Sequence, residues 1–222
     1  MTISKINVIN IIKTISYCGL GYLSYLMVLI TIQYIPIRFD VAFLAIKQDV
    51  ISKPYYQISF FTHVYTAIFV LLLGFFQFSK RLRKKYPKSH QAFGKLYIGL
   101  IILLSGPSGF VMGIHANGGI YSQASFCLLS LLWVYFTVQA YRYARKKEWR
   151  LHSKFIYRSY ALTLSALSLR LFKWVIATTV ALPPMDIYKI VAWAGWLVNL
   201  LIAELIILNE DRRLVVLKDG AK

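Results

Sequence analysis

Apolar residues along this chain gather into six blocks, at roughly 14–34, 57–78, 95–115, 122–143, 156–181 and 187–208. Each is about twenty residues long, and a helix rising 1.5 Å per residue then covers ~30 Å, the thickness of a hydrocarbon core. The pattern predicts an all-α polytopic membrane protein, a bundle of six transmembrane helices. Little of the 222 residues is left once six spans are placed, so 1–222 reads as a single integral membrane domain. The first block has no small-residue cleavage site after it and is expected to remain as a span.

The connections carry their own signals. Between blocks one and two, Phe39, Phe43, Leu44 and Ile46 set against Asp40, Lys47 and Asp49 predict a short amphipathic helix lying on the membrane. Pro87 marks a sharp entry to block three, with Ser89 as a candidate N-cap. Gly106, Gly109 and Gly113 beside Pro107 make the far half of that block thin and bendable, suited to close helix approach or to a flat ligand. Asn117-Gly118-Gly119 is the expected turn.

Composition adds orientation. Hydrophobic residues make up 58% of the chain, yet the net charge is +18. The excess is segregated: Lys80, Arg81, Arg83, Lys84, Lys85 and Lys88 share one connection, and Arg142, Arg145, Lys146, Lys147, Arg150 and Lys154 share another. Both fall on one side of a six-span protein, and short basic loops stay cytoplasmic. Lys5, Lys13, Arg212, Arg213 and Lys218 put both termini on that side. The expected partner of this charge is anionic lipid, not nucleic acid. Cys18 and Cys127 lie in different blocks, with no CxxC, and are expected to be small buried residues without a disulfide.

Four histidines and four cations carry the candidate chemistry. His63 and His115 fall near the outer surface, His90 and His152 near the inner one. Two pairs, each from two helices, match what b-type haem needs, since a low-spin iron takes two neutral imidazoles from facing helices. Lys95, Arg158, Arg170 and Lys173 are then candidates to pair with haem carboxylates, and glycines near the ligands to make room for the ring. A charge near a span centre costs roughly 2.5–3.5 kcal/mol on insertion scales, so it normally faces the bundle with a partner. Glu204 suits Arg158, and Arg170 is left to carbonyls, polar side chains, water or an anionic ligand. His152 and Arg170 are eighteen positions apart, five turns, and are expected on one face of one helix.

The ordered run FFTHVYTAIFVLLLGFFQF, HQAFGKLY, HANGG, LLWVYFTVQAY and HSKFIYRSYALTLSALSLRL resembles the bacterial membrane proteins of domain of unknown function family 2306. The likeness covers about 57–172 and rests on His63, Gly74, Gln77, His90, Gly94, Tyr97, Gly118, Gly119, Trp133, His152, Arg158, Ser159, Tyr160, Ala161, Leu162 and Arg170. Where that family usually shows Arg after the first inner histidine and Trp-Met three residues after the second, this chain has Gln91, Phe155 and Ile156. His115 is not part of the pattern. The resemblance implies a fold and a bacterial inner-membrane location, but no activity.

The leading expectation is a small membrane redox protein binding haem b through His90 and His152, with His63 on the outer side. A quinone or another redox partner would then exchange electrons with it. An anion or lipid transporter using Arg170 and Lys173 is the alternative. A zinc enzyme built on His90, His152 and His63 ranks lower, because membrane-embedded acids are few.

Overall fold

In a computed structural model of the chain, residues 2–219 are described, with side chains described at 10–11 and 14–214. The described residues form helices and no strand: α1 (Thr2–Ile32), a 3₁₀ turn (Ala42–Ile46), α2 (Pro54–Gln77), α3 (Lys80–Lys85), α4 (Pro87–Leu100), a π turn (Ile101–Ser105), α5 (Gly106–Ile114), α6 (Ile120–Arg145), α7 (Trp149–Thr163), α8 (Ser165–Thr179) and α9 (Pro184–Asp219). Five stretches are long and apolar enough to cross a membrane, and six if the bent pair α7–α8 is one span. The protein is therefore an all-helical polytopic membrane protein whose apolar surface meets lipid. Side chains such as Phe69, Leu103, Leu131 and Leu201 are exposed along those spans, as lipid contact requires. The side chains of Lys5, Lys13 and Lys218 lie outside the described residues.

The chain divides into two compact units, Met1–Lys47 and Gln48–Lys222. In the first, Ser24 and Thr31 satisfy their hydroxyls on the carbonyls of Leu20 and Met27, at 2.8 and 2.9 Å, so no polar group of theirs faces lipid unpaired. The expected amphipathic helix is reduced to the 3₁₀ turn, and its polarity differs from the pattern. Leu44 and Lys47 are both buried, while Phe39 and Ile46 are exposed. Arg38 grips Asp40 at 2.7 Å in the preceding loop, and that guanidinium holds the Asp40 carboxyl below its ordinary range. Cys18 is exposed on α1 and Cys127 half-buried on α6, both as free thiols.

The second unit packs α2 and α4–α9 around Val70, Tyr97, Ile101, Trp133, Tyr160, Leu162 and Trp196. Its third span starts earlier than the apolar run suggests. Pro87 occupies the first turn of α4, so Ser89 is inside the helix and caps nothing. The basic connection before it is itself a short helix, α3, capped by Ser79, whose hydroxyl accepts from the Leu82 N–H at 3.2 Å. Midway along the span, Pro107 lacks an N–H for the α ladder. The π turn widens the ladder just before it, with the Gly106 N–H reaching back to the Ile101 carbonyl.

The fifth predicted span is not one straight helix. It bends by 42° between α7 and α8, at Leu164. Asn199 of α9 supports the break: its amide donates to the Ala161 carbonyl at 3.1 Å and its oxygen accepts from the Ser168 hydroxyl at 2.8 Å. A side chain inserted into the ladder is a recognised cause of kinking. The bend removes the expectation that His152 and Arg170 share one helix face, since that held only for a continuous helix.

Interior glycines serve helix approach. A Cβ on Gly74 would overlap the Tyr160 ring, one on Gly109 would sit 2.8 Å from His63 Cε1, and one on Gly113 3.1 Å from the Cys127 nitrogen. By contrast, a Cβ on Gly99 meets nothing within 4 Å. Gly74→Ala must displace the Tyr160 ring and is expected to destabilise by ~1–3 kcal/mol. Gly99→Ala is expected to be neutral or slightly stabilising, because alanine is the better helix former. Thermal unfolding in detergent compares the two.

Candidate functional site

The centre of the second unit is a closed set of hydrogen bonds among buried side chains. The Tyr97 hydroxyl of α4 lies 3.0 Å from both Ser159 Oγ and Thr163 Oγ1 of α7. Thr137 of α6 lies 2.8 Å from Ser159, and the Trp133 indole donates to Thr163 at 3.0 Å. Four hydroxyls and an indole thus satisfy one another where lipid and water are both excluded. Interhelical bonds of this kind average ~0.6 kcal/mol each in membranes, but leaving one unmade in an apolar core costs more. They lock α4, α6 and α7 in register.

That register aligns two histidines. His90 precedes Tyr97 by seven positions and His152 precedes Ser159 by seven. Seven residues are nearly two whole turns, so each histidine lies on the same face as the clamp residue above it, ~10 Å closer to the end carrying the basic connections. Helices α4 and α7 both start at that end, so the two histidines fall at about one level along the bundle. His152 Nδ1 meets the Ala140 carbonyl at 2.8 Å. A carbonyl only accepts, so Nδ1 carries the proton and a neutral His152 keeps its lone pair on Nε2. His90 Nδ1 is buried with no hydrogen-bond partner. The backbone of His90 is tied to α2 through Gln77, whose Nε2 donates to the His90 carbonyl at 3.4 Å and whose amide fills the space above Gly94.

The other two histidines stand at different depths. His63 rests on Gly109 and donates its Nδ1–H to the Ser105 carbonyl at 2.8 Å, at the end of the π turn. His115 lies 3.0 Å from the Tyr55 hydroxyl through Nε2 and packs edge-on against Tyr56. Those tyrosines precede His63 by eight and seven positions on α2, so His115 is ~10 Å further from the basic end than His63. Arg170 is exposed on α8, with one N–H on the Ala166 carbonyl at 2.9 Å. Lys173 is exposed one turn further along.

Several candidate groups are already engaged. Arg158 makes a two-pronged bond to Glu204, 2.5 and 2.8 Å, as their shared end suggests, and lies over the rings of Phe136 and Phe155. Arg150 and Lys154 share Asp211, at 2.9 and 2.6 Å. Gly74, Gly94 and Gly109 are covered by Tyr160, Gln77 and His63, so the space beside these glycines is filled by protein. Among the described residues, no group of three or more His, Cys, Asp or Glu is placed to hold a metal ion. Asn199 and Thr137 escaped the sequence reading. The one signal for Asn199 was a lone amide in an apolar run.

The Arg158–Glu204 pair is half-buried, with side-chain exposures of 21% and 38%. Glu204→Ala strands the guanidinium and is expected to destabilise by ~1–3 kcal/mol, while Arg158→Met with Glu204→Ala recovers most of the loss. Unfolding midpoints of the two variants check this.

A family model described as "Predicted membrane protein (DUF2306)" matches residues 60–207. The match runs beyond the 57–172 of the sequence resemblance and takes in α8 and most of α9, with Asn199 and Glu204. No curated protein and no solved structure matches the chain. With its model covering most of the bundle, the family is clear: the chain belongs to the DUF2306 family of predicted membrane proteins.

Proposed function

We propose that this protein is a small redox protein of the bacterial inner membrane that holds one b-type haem between His90 and His152. The observation that carries the reading is the clamp register: Tyr97 meets Ser159 at 3.0 Å, and His90 and His152 each stand seven positions, about two turns, before one of these residues. The donor set suits haem better than zinc. A structural or catalytic zinc takes three or four protein ligands, whereas a haem iron with four porphyrin nitrogens takes two imidazoles. His152 has its tautomer fixed by Ala140, the usual arrangement behind a ligating imidazole. His90 has an unsatisfied buried nitrogen that a bound group would relieve. Bound there, haem supplies reversible one-electron chemistry. The chain's own part is to fix the two rings, through Ala140 and through Gln77, and to close the inner side with the hydroxyl cluster. A quinone or a second redox protein is the electron partner this reading calls for.

Protein purified from haem-supplied cells is expected to show Soret and alpha bands in a reduced-minus-oxidised spectrum. His90→Ala and His152→Ala should each lose them, and His115→Ala should keep them. A colourless preparation, or bands indifferent to both histidines, contradicts the reading. The alternative, an anion or lipid carrier, draws on Arg170 and Lys173, both exposed in an apolar span. For that reading, Arg170→Ala should abolish flux in proteoliposomes while the fold survives.

A further inference from the structure

We propose that a cleft between the start of α7 and the end of α9 binds the headgroup of a zwitterionic membrane lipid, a phosphodiester that carries a primary ammonium. The cleft has a volume of about 310 Å³ and is walled by those two helices. Small-molecule sites span ~300–1,000 Å³, so this one has room for a headgroup and not for its chains. It lies where both helices leave their apolar runs. On α7 it precedes Phe155 and Ile156, and on α9 it follows the apolar stretch 205–208. Two of its walls, Trp149 and Leu214, are exposed and apolar. An indole at the end of a span belongs at the headgroup level of a bilayer, so the cleft opens at the depth where lipid phosphates lie.

The remaining walls select the charge. Two cations, Arg150 and Lys154, stand against two carboxylates, Glu210 and Asp211. Asp211 holds Arg150 at 2.9 Å and Lys154 at 2.6 Å, and the Tyr157 hydroxyl donates to Glu210 at 2.9 Å. These bonds fix both signs of charge in one place, and both retain capacity. Among the described residues Arg150 spends one N–H on Asp211, and 56% of its side chain is exposed. Glu210 receives Tyr157 on Oε1, which leaves Oε2 to accept. The remaining guanidinium N–H groups suit a phosphate, and the carboxylate suits an ammonium N–H. An anionic headgroup would satisfy the cations and be repelled by the acids. A choline headgroup would bring a cation with no N–H to donate. This site does not depend on the haem reading, since none of its residues is a proposed ligand.

The test titrates the full chain in detergent with short-chain phosphatidylethanolamine, phosphatidylcholine and phosphatidylglycerol, and reads bound lipid by native mass spectrometry. Wild type is expected to bind the ethanolamine lipid about tenfold more tightly than either of the others, the usual worth of a charge-assisted hydrogen bond. Glu210→Gln keeps an acceptor for Tyr157 and should bring the ethanolamine lipid down to the choline lipid. Arg150→Gln should weaken both alike, because both carry the phosphate. Lys189→Gln, near the opposite end of α9, should bind as wild type does. Soluble glycerophosphoethanolamine, which has the headgroup without the chains, should compete only weakly. Competition as strong as the lipid's own would replace the lipid by a free phosphodiester and overturn the proposal. Equal binding of the three lipids to wild type, a measurement that needs no variant, overturns it too. So does a preference for phosphatidylglycerol, or an ethanolamine preference that survives in Glu210→Gln.

Discussion

A hydroxyl sealed inside an apolar bundle must find its partner on another helix or on its own backbone, and this constraint organises the protein. Tyr97, Thr137, Ser159 and Thr163, with the Trp133 indole, meet it together. Their bonds are directional, and packing alone would let α4 slide against α7 at little cost, because lipid-facing and core-facing side chains are equally apolar. With Tyr97 fixed between Ser159 and Thr163, the two helices have one register. His90 and His152 inherit their common level from it.

The same rule explains features that look unrelated. At the bend, Asn199 takes up the Ala161 carbonyl and the Ser168 hydroxyl. At the π turn, the Ser105 carbonyl is taken by His63, and the Gly106 carbonyl accepts from the Ser130 hydroxyl at 2.7 Å. Each irregular backbone position lies inside the bundle, where a neighbouring helix supplies the missing partner. The charged counterparts sit at the basic end, where α7 meets α9 through Arg158–Glu204 and the Asp211 pairs.

The spans were legible in the sequence because apolar length is a nearly sufficient signal for crossing a bilayer. Arg158–Glu204 was legible because both fall at the same end of the bundle and few acids lie in or beside the later spans. The bend at Leu164 was not, since no Gly or Pro marks it and its cause, Asn199, lies on another helix. Helix α3 was read as a loop because five basic residues around a single leucine carry no apolar period, although Ser79 was available as a cap. Sorting histidines by side brought His90 and His152 together. It also paired His63 with His115, whereas His115 meets Tyr55, two turns before His63 on α2, so that pair stands at two depths. The glycines were correctly read as sites of close approach, but what approaches is protein: Tyr160, Gln77 and His63.

The haem reading depends on the hydroxyl clamp bringing His90 and His152 to face each other. Cysteines placed at these two positions, in a chain with Cys18 and Cys127 replaced by serine, measure that directly. A short bifunctional thiol reagent is predicted to join them within one molecule, and to fail for a pair placed at 115 and 152. Both thiols at 90 and 152 reacting singly with the reagent and never with each other would contradict the account.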